Sequence, residues 1–103
     1  MDKKFKLSYL PLFEQDLVAV RNYIANNLQN PSAALRLVEE TEKAIRLRLE
    51  NPLAFEPYRS NRDRKYPYYR IYVSNYTVYY VVIGNVMEVR RFIYSKRDIS
   101  NIL

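Results

Sequence analysis

The hydrophobic pattern of this chain changes its period once, near residue 68, and that change limits the folds available to it. Between residues 11 and 49 the apolar side chains recur every three to four residues, as in amphipathic helices. From residue 69 onwards tyrosine, valine and isoleucine dominate, and these residues favour strands. A chain of 103 residues has room for one core. We therefore expect a single α+β domain over residues 1–103, with a helical half followed by a sheet.

Two helices are predicted in the first half, after a short strand at Lys6–Tyr9. Pro11 suits the first position of the first helix, which we expect to end near Asn26–Asn27. Asn30–Pro31 supplies an N-cap and a first helical residue for the second helix, and Asn51–Pro52 ends it. Because the connector is short, the two helices should form an antiparallel hairpin.

Three strands are predicted in the second half, at Tyr69–Val73, Tyr76–Ile83 and Val86–Tyr94. Ser74–Asn75 and Gly84–Asn85 separate them, and both are short enough for two-residue hairpin turns. The predicted order is therefore β-α-α-β-β-β in a mainly antiparallel sheet. The C-terminal tail is compatible with one last short helix or with an irregular end.

Two-residue turns fix the register of the hairpins and assign every side chain to a face. The face that the helices should cover is apolar apart from one arginine, and it contains Tyr69, Ile71, Val73, Tyr76, Val78, Tyr80, Val82, Met87, Val89, Arg91 and Ile93. The other face mixes aromatic, apolar and charged side chains, namely Arg70, Tyr72, Thr77, Tyr79, Val81, Ile83, Val86, Glu88, Arg90, Phe92 and Tyr94. We expect this second face to be an exposed binding surface.

Such a basic, tyrosine-rich face suits RNA, because arginines neutralise phosphates and aromatic rings stack on unpaired bases. Three tyrosines are candidates for contact with a ligand: Tyr72, Tyr79 and Tyr94. Three others are assigned to packing at the rim of the core: Tyr69, Tyr76 and Tyr80. The alternative, in which most of the tyrosines serve packing alone, stays open at this point.

The charge of the chain is concentrated in one stretch. Seventeen basic residues against eleven acidic ones give a net charge of +6. Residues 59–70 contain a single acidic residue and five basic ones: Arg59, Arg62, Arg64, Lys65 and Arg70. This excess predicts a polyanion or an acidic protein as partner.

The chain contains no histidine and no cysteine. Disulfides, thiol nucleophiles, Ser/His/Asp triads and imidazole or thiolate zinc sites are therefore excluded. No group of carboxylates has metal-ligand spacing, and no segment approaches the length of an apolar membrane span. We expect a cytoplasmic protein that needs no metal or other cofactor and does not bind a membrane.

The order of these elements resembles the RelE/ParE superfamily of bacterial toxins. The resemblance depends on Asn30–Ala34, the stop at Asn51–Pro52, the hairpin over residues 69–82 and the closing Ser95–Asp98. It implies a toxin of a type II toxin–antitoxin module, which arrests growth, serves plasmid stabilisation and is neutralised by a cognate antitoxin with an acidic amphipathic segment.

The superfamily divides by target. RelE-like members cut messenger RNA on the ribosome, whereas ParE-like members poison DNA gyrase. The expectation we favour is ribosome-dependent cleavage of messenger RNA, with basic and tyrosine residues and no metal. The alternatives are a ParE-like gyrase inhibitor, which the Asn30–Ala34 helix start resembles more closely, and a non-catalytic RNA-binding relative.

The ribonuclease reading implies a set of site residues. The catalytic candidates are Arg70, Tyr94, Lys96 and Arg97, and the RNA-binding candidates are Arg62, Arg64, Lys65, Tyr72, Tyr79 and Arg90. In this scheme the arginines stabilise phosphate charge, while Lys96 or Tyr94 transfers a proton. Two positions depart from the family pattern, because Tyr72 and Thr77 stand where RelE-like members carry basic residues.

Overall fold

The computed structural model describes residues 4–58 and 65–103. The elements follow the predicted order: β1 (Lys6–Tyr9), α1 (Pro11–Asn22), a π-helical turn (Tyr23–Asn27), α2 (Pro31–Leu49), β2 (Tyr69–Val73), β3 (Tyr76–Ile83) and β4 (Val86–Tyr94). The four strands form one sheet in the order β1-β4-β3-β2. β1 runs parallel to β4 and the other pairs are antiparallel, so the α+β prediction is confirmed.

The helix boundaries have local causes that the sequence shows. Pro11 is the first residue of α1, and the helical path continues through the π-helical turn to Asn27. Asn30 caps α2, since its Oδ1 accepts a hydrogen bond from the backbone N–H of Ala33 at 3.2 Å. α1 and α2 pack against each other as the predicted hairpin and cover one face of the sheet, α1 over β4 and α2 over β2.

The core between the helices and the sheet is apolar. Phe13 from α1 and Ile45 from α2 are buried against the sheet residues Val78, Tyr80 and Val89. We call this side of the sheet the helix face. Tyr69 and Tyr80 stack there with ring centroids 5.3 Å apart, so their assignment to packing is confirmed.

The centre of the opposite side of the sheet is covered as well, and the expectation that this whole side is an exposed binding surface is wrong. Tyr79, Val81 and Ile93 are buried beneath Tyr68 and the C-terminal Leu103. We call this side the tail face. The tail forms turns instead of a helix, and its residues Ile99 and Ile102 add to the second apolar cluster.

A β-bulge in β4 changes the predicted side-chain faces. Both hairpins close as predicted, with Val73 opposite Tyr76 and Ile83 opposite Val86. However, Tyr80 pairs with Val89 while Tyr79 pairs with Arg91, so Arg90 is an extra residue in β4. The strand after the bulge is therefore turned over relative to the regular register.

The residues of β4 that follow the bulge change their pairing, and the faces of several side chains change with it. Phe92 lies on the helix face with Phe13, and Ile93 lies on the tail face with Tyr79. Tyr94 pairs with Tyr76 of the helix face. The prediction that Tyr94 shares a face with Arg70 is therefore wrong.

Candidate functional site

Two of the predicted catalytic residues, Tyr94 and Arg97, line one pocket beside the end of β4. The pocket has a volume of about 300 Å³ and is also lined by Asp16 of α1, Tyr23 of the π-helical turn and Tyr76 of β3. We call it the tyrosine pocket. Tyr23 and Tyr94 are 49% and 45% exposed, so their rings are accessible from solvent.

The local chain path explains why these two residues meet. β4 ends at Tyr94, and the backbone N–H of Arg97 donates to the Tyr94 carbonyl oxygen at 3.0 Å, which closes a tight turn. The backbone N–H of Ser95 donates to the Asn75 carbonyl oxygen at 2.8 Å and anchors the turn to the β2–β3 hairpin. Lys96 lies in this turn and is exposed.

Aromatic stacking holds the floor of the tyrosine pocket. Tyr76 stacks on Phe92 with centroids 5.0 Å apart, and the ring of Tyr94 meets Tyr76 edge-on at 5.8 Å. Burial raises the pKa of the Tyr76 hydroxyl, and the neighbouring Tyr23 and Tyr94 raise it further. Tyr76 therefore stays protonated at neutral pH and offers a hydrogen-bond donor.

Asp16, which lines this pocket, already accepts three hydrogen bonds from within the protein. Its carboxylate accepts hydrogen bonds from Arg91 Nε at 2.7 Å, from Arg91 Nη2 at 3.1 Å and from the backbone N–H of Phe92 at 3.0 Å. This ion pair joins α1 to β4 directly after the bulge. Three donors thus compensate the charge of Asp16, and Arg97 is the other charged residue that lines the pocket.

Arg70, the third predicted catalytic residue, lies elsewhere. It pairs across the sheet with Tyr79 of the tail face, whereas Tyr94 pairs with Tyr76 of the helix face. Its guanidinium lies over the ring of Tyr58 at 4.9 Å and near the ring of Tyr72 at 5.8 Å. The structure therefore does not bring the four predicted catalytic residues into one site.

The predicted RNA-binding residues are also dispersed. Tyr72 is 64% exposed beside Arg70, whereas Tyr79 is 5% exposed and belongs to the tail-face core. Burial is the main cause that raises the pKa of the Tyr79 hydroxyl, against the opposing charge of Arg70. The interpretation of Tyr79 as a stacking platform for RNA is therefore wrong.

Of the remaining basic candidates, the structure describes Arg90 and Lys65. Arg90 donates to Glu88 at 2.8 Å and to the Tyr68 hydroxyl at 3.4 Å. Lys65 is exposed, with Nζ 5.5 Å from the ring of Tyr66. The three other basic residues of the stretch lie outside the described residues: Arg59, Arg62 and Arg64.

Sequence reasoning missed two residues of the tyrosine pocket, Asp16 and Tyr23. The available signal was their helical spacing, because residues seven apart lie on the same side of a helix. Val20, between them, lines the same pocket. This spacing does not identify a site by itself, because the apolar residues of α1 that pack on the sheet, such as Leu17, repeat with the same period.

A second groove lies on the other side of α1, between α1 and α2. It has a volume of about 390 Å³, and it has an apolar floor with charged residues at its rim. The apolar part contains Phe13, Leu17, Val18, Val38 and Ile45. Val18 is an exposed member of this set. An apolar groove with an exposed apolar residue is a surface that an amphipathic helix could fill.

Within residues 4–58 and 65–103, no group of three or more carboxylates is arranged to hold a metal ion. None of the helices in those ranges has the length and apolar character needed to cross a bilayer.

Comparison with known proteins places this architecture in a family. A family model described as the ParE toxin of the type II toxin–antitoxin system parDE matches residues 7–99. Among solved structures, a chain of the chromosomal ParDE toxin–antitoxin system from P. aeruginosa superposes with a TM-score of 0.76 at 14% sequence identity, over 91% of this chain and 99% of that one. At that identity the likeness shows the fold. No curated protein gives a significant sequence match. Because the family model covers most of the chain, the protein belongs to the ParE family of toxins of type II toxin–antitoxin systems.

Proposed function

We propose that this toxin arrests growth by binding DNA gyrase, and that a cognate antitoxin neutralises it. One structural observation supports this reading over RNA cleavage. The bulge at Arg90 separates Arg70 from Tyr94 onto opposite faces of the sheet. Cleavage of RNA by its own 2′-hydroxyl needs a proton acceptor, a charge stabiliser and a proton donor around one phosphate. Inhibition by binding needs a complementary surface and no such assembly.

The family supports the same conclusion. The chain belongs to the ParE toxins, and the ParE branch is the one that the resemblance links to gyrase. Two basic positions of the RelE-like pattern are also changed. Tyr72 is an exposed ring, and Thr77 is buried, with its hydroxyl 2.8 Å from that of Ser95.

Messenger RNA cleavage on the ribosome is the second candidate function. The observation in its favour is the tyrosine pocket, where Tyr94 and Arg97 lie together and Lys96 is adjacent. A tyrosine hydroxyl and a guanidinium are suitable groups for contact with a phosphate.

The antitoxin fits the groove between α1 and α2. Tyr68 and Leu103 cover the centre of the tail face, which leaves less apolar surface there for an amphipathic helix. The groove retains an exposed apolar residue, Val18, and the toxin's charge of +6 favours an acidic amphipathic helix. We expect the affinity for this helix to fall as salt is added.

The deciding experiment measures both activities with one preparation of the full chain. Gyrase supercoiling and gyrase-linked DNA breaks are followed beside the mapping of messenger RNA ends on programmed ribosomes. We expect inhibition of gyrase and intact messenger RNA. Cuts in the ribosomal A site with unaffected gyrase would overturn the proposal.

The variant Arg70→Ala separates the two mechanisms further. If Arg70 stabilises phosphate charge in a ribonuclease, the loss of its side chain should reduce the rate of cleavage by about 10²–10³. If the protein is a gyrase inhibitor, the same substitution should change gyrase inhibition little, because Arg70 pairs with Tyr79 on the tail face and does not line the tyrosine pocket. Lys43→Ala, at an exposed position on α2, is the matched control for loss of one positive charge.

A further inference from the structure

We propose that the tyrosine pocket is the surface with which the toxin binds its target, and that it receives a carboxylate-bearing segment of that target. This inference rests on the proposed function, since it takes gyrase as the target. Gyrase would contact one side of α1, at the tyrosine pocket, and the antitoxin would contact the other side, at the groove between α1 and α2.

Tyrosine and arginine side chains are exposed in the tyrosine pocket. Tyr23 and Tyr94 leave about half of their surface open, next to the partly buried Tyr76 and the exposed Arg97. Tyrosine and arginine are enriched among the residues that dominate the binding energy of protein interfaces. Tyrosine presents a large contact area with few rotatable bonds, so little conformational entropy is lost on binding.

Two charged residues, Asp16 and Arg97, line the tyrosine pocket. Asp16 is compensated by three hydrogen bonds from Arg91 and from the backbone of Phe92, and its side chain is only 15% exposed. Arg97 has no carboxylate within ion-pair distance among the described residues. A guanidinium with free donors beside tyrosine hydroxyls favours a carboxylate, which accepts several hydrogen bonds in one plane.

Contacts between several elements hold the tyrosine pocket in place. The pocket is formed by the π-helical turn at Tyr23–Asn27, by α1 and by the end of β4. The Arg91–Asp16 ion pair ties α1 to β4 there, and stacking on Phe92 fixes Tyr76. π-helical turns occur often at functional sites. A preorganised surface of this kind loses less free energy when it binds a partner.

The tyrosine pocket and the α1–α2 groove lie on different sides of α1. Val18 faces the groove against α2, whereas Tyr23, five residues later, faces the tyrosine pocket. A separation of five residues turns a side chain about 140° around the helix axis. One helix therefore presents two distinct surfaces, and each can be altered without direct change to the other.

The experiment measures two affinities for each variant. Tyr23→Ala and Arg97→Ala alter the tyrosine pocket, Val18→Asp alters the α1–α2 groove, and Tyr72→Ala is the control for an exposed tyrosine on the tail face. Each full-length toxin is titrated against gyrase in a supercoiling assay and against its antitoxin in a binding assay. Circular dichroism and thermal unfolding verify that each variant is folded.

We expect Tyr23→Ala and Arg97→Ala each to raise the concentration for half-inhibition of gyrase about 30-fold, with antitoxin affinity within threefold of wild type. Val18→Asp should weaken antitoxin binding and leave gyrase inhibition in place. Tyr72→Ala should change neither.

Three results would overturn the inference. If folded Tyr23→Ala and Arg97→Ala proteins inhibit gyrase as wild type does, the pocket is not the target surface, although the proposed function stands. If these variants lose antitoxin binding to the same degree as gyrase inhibition, the two sides of α1 do not serve different partners. If wild-type toxin leaves gyrase active and cuts messenger RNA, the proposed function itself fails.

Discussion

Replacement of Tyr80 by phenylalanine removes one hydroxyl from the interior of the protein and leaves the ring in place. Tyr80 is fully buried on the helix face. Its hydroxyl donates a hydrogen bond to the Pro52 carbonyl oxygen at 2.7 Å and accepts one from Arg48 Nη1 at 3.0 Å. Through these bonds β3 is joined to the last turn of α2 and to the loop that follows it.

The size of the effect follows from what is left behind. In Tyr80→Phe the buried carbonyl oxygen of Pro52 loses its donor, and an unsatisfied buried polar group costs about 1–3 kcal/mol. Arg48 keeps its other acceptor, the Arg70 carbonyl oxygen at 2.9 Å, and its stacking on Phe55 at 3.6 Å, so it adds little to the loss. We expect the free energy of unfolding to fall by about 2 kcal/mol.

Urea unfolding with Tyr69→Phe as the matched control tests this reasoning. Tyr69 stacks on Tyr80 at 5.3 Å and is also buried, but no hydrogen bond of its hydroxyl is found among the described residues. Loss of the Tyr69 hydroxyl should lower the free energy of unfolding by less than about 0.5 kcal/mol. The Tyr80→Phe midpoint should lie about 1 M urea below that of wild type. Equal stabilities of the two variants would refute the role given to the Tyr80 hydroxyl.

Three further predictions concern stability. Asp16→Asn, which weakens the bonds to Arg91, should lower the free energy of unfolding by about 1.5–3 kcal/mol in urea titrations, and an unchanged midpoint would contradict it. Stability should fall as pH rises above about 10, because burial raises the pKa of groups such as the Tyr79 hydroxyl and the unfolded chain then releases protons first. A flat alkaline profile would exclude this linkage. Gly84→Ala should destabilise by about 1 kcal/mol and Ser74→Gly should stabilise by about 0.5–1 kcal/mol in thermal unfolding, because both positions have left-handed φ angles, +61° and +55°. The opposite signs would contradict the backbone argument.

The sequence by itself determined the elements and their ends. Pro11 and the Asn30 cap act within one turn of helix, and the two-residue turns at Ser74–Asn75 and Gly84–Asn85 set the strands on either side. These signals are local, since each depends on the conformational preference of a few neighbouring residues. Their agreement also supported the family resemblance, which the family model over residues 7–99 confirms.

The tertiary structure alone decided which side chains meet. An extra residue at Arg90 turns over the end of β4, and no local pattern marks it, because alternation fits either register over so few residues. The bulge lets Phe92 pack on Phe13. The ion pair of Arg91 with Asp16 then joins this part of β4 to α1.

Burial of the tail face also could not be predicted from a local sequence pattern, because it depends on the C-terminal tail. The tail folds back so that Leu103 and Ile102 cover Tyr79, a contact between residues more than twenty positions apart. Apolar residues in an apparently irregular tail gain from such burial, but their partner is fixed only when the whole chain is packed. The catalytic set expected from the sequence was divided for the same reason, since side-chain assembly at a site depends on long-range packing.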